Sequence, residues 1–376
     1  MKLPRQNLRL PGPTPVPPEV MEATGGPMIN HRGPEFKEII FGLTEKLKKV
    51  CMTKNDLYIL TASGTGCLEA AVVNTLSPGD KVLGVTVGSF GDRFIEMAQA
   101  YGAQVTRLEF PWGSAADPEA IRDALAKDPE IKAVLVTHNE TSTGVTNDLE
   151  SISQVVKDEF DKLLLVDAVS SLGCVALPVD QWKCDMVGTA CQKGLLTPPG
   201  LSIICVSPQA WEANKEAKMP RYYFDLATAQ RYLERGQTPW TPNLPLFYGL
   251  MVAVDLLLEE GMGHVFERHG QIAQMTREGV KALGLELLAD PRHASDTVTA
   301  VKLPDGVDGE QLTELLRLER NVVVAEGPGK LAGKIFRIGH MGHVKEEDIQ
   351  ETLDALSWAL PKVGFKLGHS VSGLGR

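Results

Sequence analysis

Between Leu57 and Val206 the chain alternates short strand-like runs, most of them apolar, with stretches that have helical spacing of apolar residues. The runs are Leu57-Tyr58-Ile59-Leu60, Lys81 to Val87, Val105 to Leu108, Ala133-Val134-Leu135-Val136-Thr137, Leu163-Leu164-Leu165-Val166, Met186 to Thr189 and Leu201 to Val206. Strands without polar alternation have no solvated face, so they belong in a sheet covered on both sides. The amphipathic stretches Gly64 to Leu76, Phe90 to Tyr101, Pro118 to Ala126 and Leu149 to Phe160 supply the covers. This alternation predicts an α/β fold whose large domain is a mostly parallel sheet sandwiched by helices. Ligands of such sheets bind at the carboxyl ends of the strands. The polar residues that close each apolar run are therefore the ones to inspect.

The flanks read differently. Leu10-Pro11-Gly12-Pro13-Thr14-Pro15-Val16-Pro17-Pro18 lacks the donors for helix or central strand, so residues 1–22 are expected as an extended arm over another surface. The large domain is placed at 23–250. Beyond Met251, long helical patterns (Phe247 to Glu259, Gly263 to Leu283) precede short strands near Thr297 to Leu303, Val322 to Val324 and Ile335 to Ile338. A helix from Lys345 to Leu360 follows, which makes 251–362 a smaller α+β C-terminal domain. The glycine- and serine-rich stretch 363–376 is expected to be a loose tail.

A formal net charge of -10 argues against nucleic acid or an anionic membrane as partner. The six cysteines form no C-x-x-C pair, and no run approaches the ~18–20 apolar residues of a membrane span. A cytoplasmic protein with reduced thiols and no metal is expected.

Polar residues close the runs in a suggestive way. Lys193, in Thr189-Ala190-Cys191-Gln192-Lys193-Gly194, follows a buried strand within a loop of small residues. It is either a solvated lysine on a turn or an amine that condenses with an aldehyde cofactor. Asp167 ends Leu163 to Val166. It either caps the next turn or pairs with a protonated ring nitrogen, keeping the ring positive. Thr61-Ala62-Ser63-Gly64-Thr65-Gly66 lies between strand and helix, where backbone N–H groups and hydroxyls suit a phosphate. It has neither a P-loop lysine nor dinucleotide spacing. Thr137-His138-Asn139-Glu140-Thr141-Ser142-Thr143-Gly144 is a hydroxyl-rich turn that caps a helix or donates to a phenolate oxygen.

In that order these motifs resemble the class V aminotransferases, close to the alanine–glyoxylate, serine–glyoxylate and serine–pyruvate branch. The likeness runs from Leu10-Pro11-Gly12-Pro13-Thr14 to Phe336-Arg337-Ile338-Gly339. It implies a fold-type I enzyme using pyridoxal 5'-phosphate, with small amino acids and keto acids as substrates. By resemblance, Lys193 bonds to the cofactor and moves the α-proton, and Asp167 lies under the ring nitrogen. Ser63, Gly64, Thr65 and Gln192 hold the phosphate, Thr141 reaches the phenolate, and Phe90 stacks on the ring. Arg337 grips the substrate carboxylate, with a structural salt bridge as the alternative. Gln237-Thr238-Pro239-Trp240-Thr241 resembles a segment reaching the neighbouring subunit's phosphate. A homodimer completed by Thr238 and Thr241 is therefore expected. Arg32, Arg221 and Arg235 are possible cations for a distal acid, although small uncharged donors are the expectation. A desulfurase on the same fold would need a late nucleophilic cysteine, and none follows Cys205. A non-catalytic binding subunit would not need both Lys193 and Asp167.

Overall fold

The computed structural model describes residues 6–367. In chain order it contains β1 (Asn7–Arg9), α1 (Pro18–Ala23), α2 (Pro34–Val50), β2 (Asp56–Leu60), α3 (Gly64–Thr75), β3 (Lys81–Thr86), α4 (Ser89–Ala100), β4 (Gln104–Glu109) and α5 (Pro118–Lys127). Then come β5 (Ala133–Thr137), β6 (Asn139–Glu140), β7 (Val145–Thr146), α6 (Leu149–Ser153), β8 (Leu163–Asp167), β9 (Met186–Ala190), β10 (Ser202–Val206), α7 (Pro208–Glu216) and α8 (Leu226–Leu233). The chain continues through α9 (Leu244–Glu260), α10 (Met262–Ala282), β11 (Val298–Lys302), α11 (Gly309–Arg320), β12 (Val322–Glu326), β13 (Ile335–Gly339) and α12 (Glu346–Ala359).

The large sheet has seven strands in the order β2-β10-β9-β8-β5-β3-β4. Strand β10 runs antiparallel to both neighbours, and the other pairs are parallel. Every residue of β5, β8, β9 and β10 is buried. Successive residues of each strand point to opposite faces, so each strand feeds two cores. Val134, Val136, Leu164 and Val166 enter one, and Ala133, Leu135, Leu163 and Leu165 the other. This explains the absence of polar alternation. Edge strand β4 is the exception, mostly exposed and carrying Gln104, Thr106 and Arg107.

The small domain is built on the sheet β1-β12-β13-β11. Helices α10, α11 and α12 cover its core of Val301, Leu312, Leu316, Phe336, Ile338 and Leu356.

Several expectations change. The arm is not extended throughout residues 1–22. Residues Asn7–Arg9 pair parallel with Val322–Val324, so this segment is an edge strand of the small domain. Pro18 begins a helix, because proline at the first helical position lacks only an N–H that would have had no partner. The helix expected over Leu149 to Phe160 changes to π geometry at Gln154–Glu159. Helices α2, α7, α8 and α11 were not anticipated. The first is tied to the core by Phe36 against Phe247 of α9, ring centres 5.2 Å apart and near edge-to-face. Of the expected loose tail, Val363, Phe365 and Leu367 pack on the small-domain core, and 368–376 lie outside the described residues.

One ion pair is wholly internal. Lys157 Nζ bonds Asp185 Oδ2 at 2.5 Å, Gln209 Oε1 at 2.6 Å and the carbonyl of Lys162 at 2.9 Å. Asp185 also accepts from Leu164 N and Ser207 Oγ, tying the amino end of β8 to α7. Lys157→Met strands a buried carboxylate, and a loss of about 3–5 kcal/mol is expected from urea unfolding. An unchanged midpoint would contradict the pair's structural role.

Candidate active site

Asp167 is the last residue of β8 and is buried. Its Oδ1 accepts from Val169 N at 2.9 Å. Burial raises its pKa to about 7, against the Val169 N–H, which favours the charged form; Glu140 adds to the rise and Lys193 opposes it. Such a carboxyl is charged at little cost only when a cation stands beside it.

Lys193 comes three residues after β9, the neighbouring strand. Burial lowers its amine to about 8; Asp167 opposes that shift and Arg337 adds to it. Its Nζ donates to the carbonyl of Pro11, so the arm crosses directly over the lysine. Thr14 fastens the arm there, its N–H donating to Gln192 O at 3.2 Å and its hydroxyl lying 3.3 Å from Lys193 O. Gly12, at φ +129°, leaves the room: a Cβ there would overlap the Lys193 side chain.

Ser63 and Gly64 begin α3, where the first N–H groups have no intrahelical partner. Ser63 makes no capping bond to the helix with its hydroxyl. A Cβ on Gly64 would fall 2.7 Å from Val169 Cγ2, so only glycine lets this helix end approach the Asp167 strand end.

Beyond β5, Thr141 Oγ1 donates to Ser170 Oγ at 2.7 Å. Glu140 turns its buried carboxylate to the start of α4, accepting from Phe90 N and Gly91 N at 3.0 Å each and from Ser142 Oγ at 2.5 Å. Burial raises the pKa of Glu140 as well, against these donors. Arg93, one helical turn after Phe90, places its guanidinium 4.9 Å from the centre of that ring.

These strand ends enclose a cavity of about 190 Å³ lined by Ser63, Gly64, Thr65, Phe90, Thr141, Asp167, Gln192 and Lys193. Arg93, Asn139, Val169 and Ser170 also line it, and the sequence reading did not single them out. Arg93 was findable from its position one turn beyond Phe90. Asn139 and Glu140 sat inside the hydroxyl-rich turn but carried no signal separating them from capping residues.

Arg337, on β13, does not line the cavity but is bonded to Thr141 of its wall. Its Nε and Nη2 donate to Glu326 O at 3.0 and 2.9 Å, and its Nη1 to Thr141 O at 3.2 Å. Among the described residues it has no carboxylate within salt-bridge distance, so the salt-bridge alternative is not what the fold uses. Burial lowers its pKa to about 10, opposed by Glu140.

Thr238 and Thr241 are not brought to the cavity. Thr238 Oγ1 donates to Trp240 O at 2.7 Å, and Thr241 is exposed. Arg32 holds this loop through Thr238 O at 2.6 Å, Arg221 serves backbone carbonyls of Val73 and Ala217, and Arg235 lies over Tyr232.

Residues 8–351 match the family description "Aminotransferase class-V". The chain belongs to the class V aminotransferases. Curated relatives include an uncharacterised aminotransferase of Methanocaldococcus jannaschii, 45% identical over 96% of this chain and 94% of its own. A protein named as the small subunit of a soluble hydrogenase, from a Synechococcus species, is 43% identical over 95% and 94%. The serine–glyoxylate aminotransferase of Methylorubrum extorquens is 39% identical over 96% and 93%. Among solved structures, ureidoglycine–glyoxylate aminotransferase from Bacillus subtilis superposes with a TM-score of 0.93 at 32% identity, covering 100% of this chain and 98% of that one. Enzymes of this class V aminotransferase fold use pyridoxal phosphate.

The cavity fits that cofactor. A buried acid needing a cation, an amine lowered toward neutrality and a helix start with free N–H groups meet in one enclosed space. A carboxyl whose folded pKa is raised stabilises the fold fully at pH below about 4, and that contribution is lost as pH rises through about 7. In the cofactor-free protein, Asp167→Asn should therefore flatten the fall in melting temperature between pH 5 and 8. Identical pH profiles for the two proteins would remove Asp167 as a buried acid awaiting a cation.

Proposed function

We propose that the chain moves an amino group from a small amino acid, serine or alanine, to a small keto acid, glyoxylate or pyruvate, in a ping-pong reaction. The observation carrying this reading is that Lys193 and Asp167 line one cavity while Arg337, bonded to Thr141 of its wall, has no carboxylate partner among the described residues. Bound pyridoxal phosphate supplies an aldehyde that takes up amines and a ring that draws electrons from the substrate α-carbon.

The chain's own groups divide the remaining work. Ser63, Gly64, Thr65 and Gln192 hold the phosphate, with the start of α3 favouring its charge. Asp167 keeps a proton on the ring nitrogen. Phe90 would cover one face of the ring, and Glu140 holds the backbone from which Phe90 projects. Thr141 meets the phenolate oxygen. The Lys193 amine, lowered to about 8 by burial, would act as the base that takes the proton from the α-carbon of a bound amino acid. Arg337 grips the α-carboxylate two-pronged. The serine–glyoxylate and ureidoglycine–glyoxylate relatives support glyoxylate as acceptor. The placement of Arg32, Arg221 and Arg235 away from the cavity supports an uncharged donor.

Arg93 favours a second reading, a dicarboxylic donor, because it lines the cavity and has no carboxylate partner among the described residues. A desulfurase lacks support: all six cysteines are buried, and burial pushes Cys174 up to about 12. These free thiols suit a cytoplasmic protein. No helix among the described residues is long and apolar enough to cross a membrane.

Absorbance of the loaded enzyme tests the chemistry and the donor together. Serine and alanine should each convert the near-visible band, and glyoxylate should restore it. Lys193→Ala should abolish turnover. Faster conversion by aspartate would transfer the reading to Arg93, and a Lys193→Ala enzyme with full activity would end it.

Thr238 and Thr241 lie beside exposed Tyr222 and Tyr223, which stack on Trp240 at 5.1 and 5.8 Å. Tyr223 Oη also bonds Thr61 O at 3.1 Å, next to the phosphate turn. In our reading this face joins a second copy, and the two threonines complete that copy's phosphate site. Mixing Lys193→Ala with a Thr238→Ala/Thr241→Ala variant should restore activity, since each hybrid dimer carries one intact site. No recovery after subunit exchange would refute the shared site.

A further inference from the structure

The hairpin that follows β5 touches both domains. Its tip rests on the small domain, where Ser295 N–H donates to Gly144 O at 2.9 Å and Val145 bridges Ala294. Its base is held by Asn139, a buried residue on the cavity wall. The Asn139 amide is fully used. Its Nδ2 donates to Ser170 Oγ at 2.8 Å and to Thr297 Oγ1 at 2.9 Å. Its Oδ1 accepts from Thr146 Oγ1 at 2.8 Å and from Ser295 Oγ at 2.6 Å. Ser170 in turn accepts from Thr141 and donates to the Asn139 carbonyl at 2.9 Å.

Follow the partners outward. Thr297 stands just before β11, and its carbonyl receives His340 N at 2.9 Å, just after β13. Strand β13 carries Arg337, paired with Ala300 of β11. Arg337 itself donates to Thr141 O in the same hairpin at 3.2 Å. One amide therefore joins the cavity wall, at Ser170 and Thr141, to the strands that hold Arg337.

We propose that Asn139 is a positioning residue that keeps Arg337 of the small domain in register with the cavity holding Asp167 and Lys193. This rests on the reading of Arg337 as the carboxylate-binding group. Asparagine suits the place because its side chain offers two donors and two acceptors in one plane, and all are taken here. Aspartate would have nothing to donate to Ser170 or Thr297, and an apolar residue would take one partner from each of the Ser170, Ser295 and Thr297 hydroxyls. Small displacements between a binding group and the reacting atoms are costly, because catalysis depends on their alignment.

The test compares loaded Asn139→Ala, Ser295→Ala and Thr297→Val enzymes with Arg337→Ala. Asn139→Ala should raise KM for both donor and acceptor about tenfold while kcat changes less than about threefold. Ser295→Ala should add little on top of Asn139→Ala, since both cut the same link. A side chain that only supports the fold would lower the melting temperature without this split or this non-additivity. In the cofactor-free protein, hydrogen exchange at residues 297–301 and 335–340 should quicken in Asn139→Ala while β3 stays protected. If Asn139→Ala does not fold, Ser295→Ala and Thr297→Val carry the same comparison from the small-domain side. A raised KM in Arg337→Ala beside an unaltered KM in the network variants would overturn the proposal alone. An unaltered KM in Arg337→Ala would remove the reading of Arg337 and the proposal with it.

Discussion

A carboxylic acid at the end of a fully buried strand, offered one short backbone N–H, is an unfinished arrangement. Among the described residues Asp167 has no cation bonded to it, and burial holds its pKa near 7. Folding alone would favour an apolar residue there. The proposed pairing with a positive ring nitrogen would complete the position, and Lys193 lines the same cavity. Lys193 is the mirror case, an amine made reluctant to carry charge by the same burial. Each group opposes the other's shift, but burial outweighs that opposition and brings both close to the pH where protons move easily.

The parallel sheet makes this geometry possible. Strands β5, β8 and β9 are adjacent and run the same way, so the residues following their carboxyl ends open on one side. The strand bodies behind them bury every side chain, so polar groups gather at these ends. The small domain adds what the sheet cannot. Arg337 comes from a separate sheet and reaches the cavity wall through Thr141 and the hairpin based on Asn139. The N-terminal arm closes the same space, because its first strand belongs to the small domain while its Pro11 carbonyl meets the lysine of the large one.

Much of this was legible in the amino-acid order. The doubly apolar strands announced a sheet covered on both faces, and their polar terminators pointed to Ser63, Thr141, Asp167 and Lys193, which line one cavity. Strand ends are readable because an abrupt change from apolar to polar is a local signal. The arm was harder. Its prolines forbid a central strand, but the edge strand Asn7–Arg9 lies ahead of them and Pro18 starts a helix. Helix α2 was overlooked even though Phe36, Ile40, Leu43, Leu47 and Val50 mark its buried face.

Sequence by itself determined the sandwich, the order of the motifs and the chemistry each motif could supply, because those depend on near neighbours and on periodicity. Only the tertiary structure decided which charges go unpaired. That Arg337 meets carbonyls in place of carboxylates, that Arg93 reaches the cavity while Arg221 does not, and that Asn139 links two domains are contacts between residues far apart in the chain. Pairing of that kind is settled by how layers pack, and no local pattern encodes it.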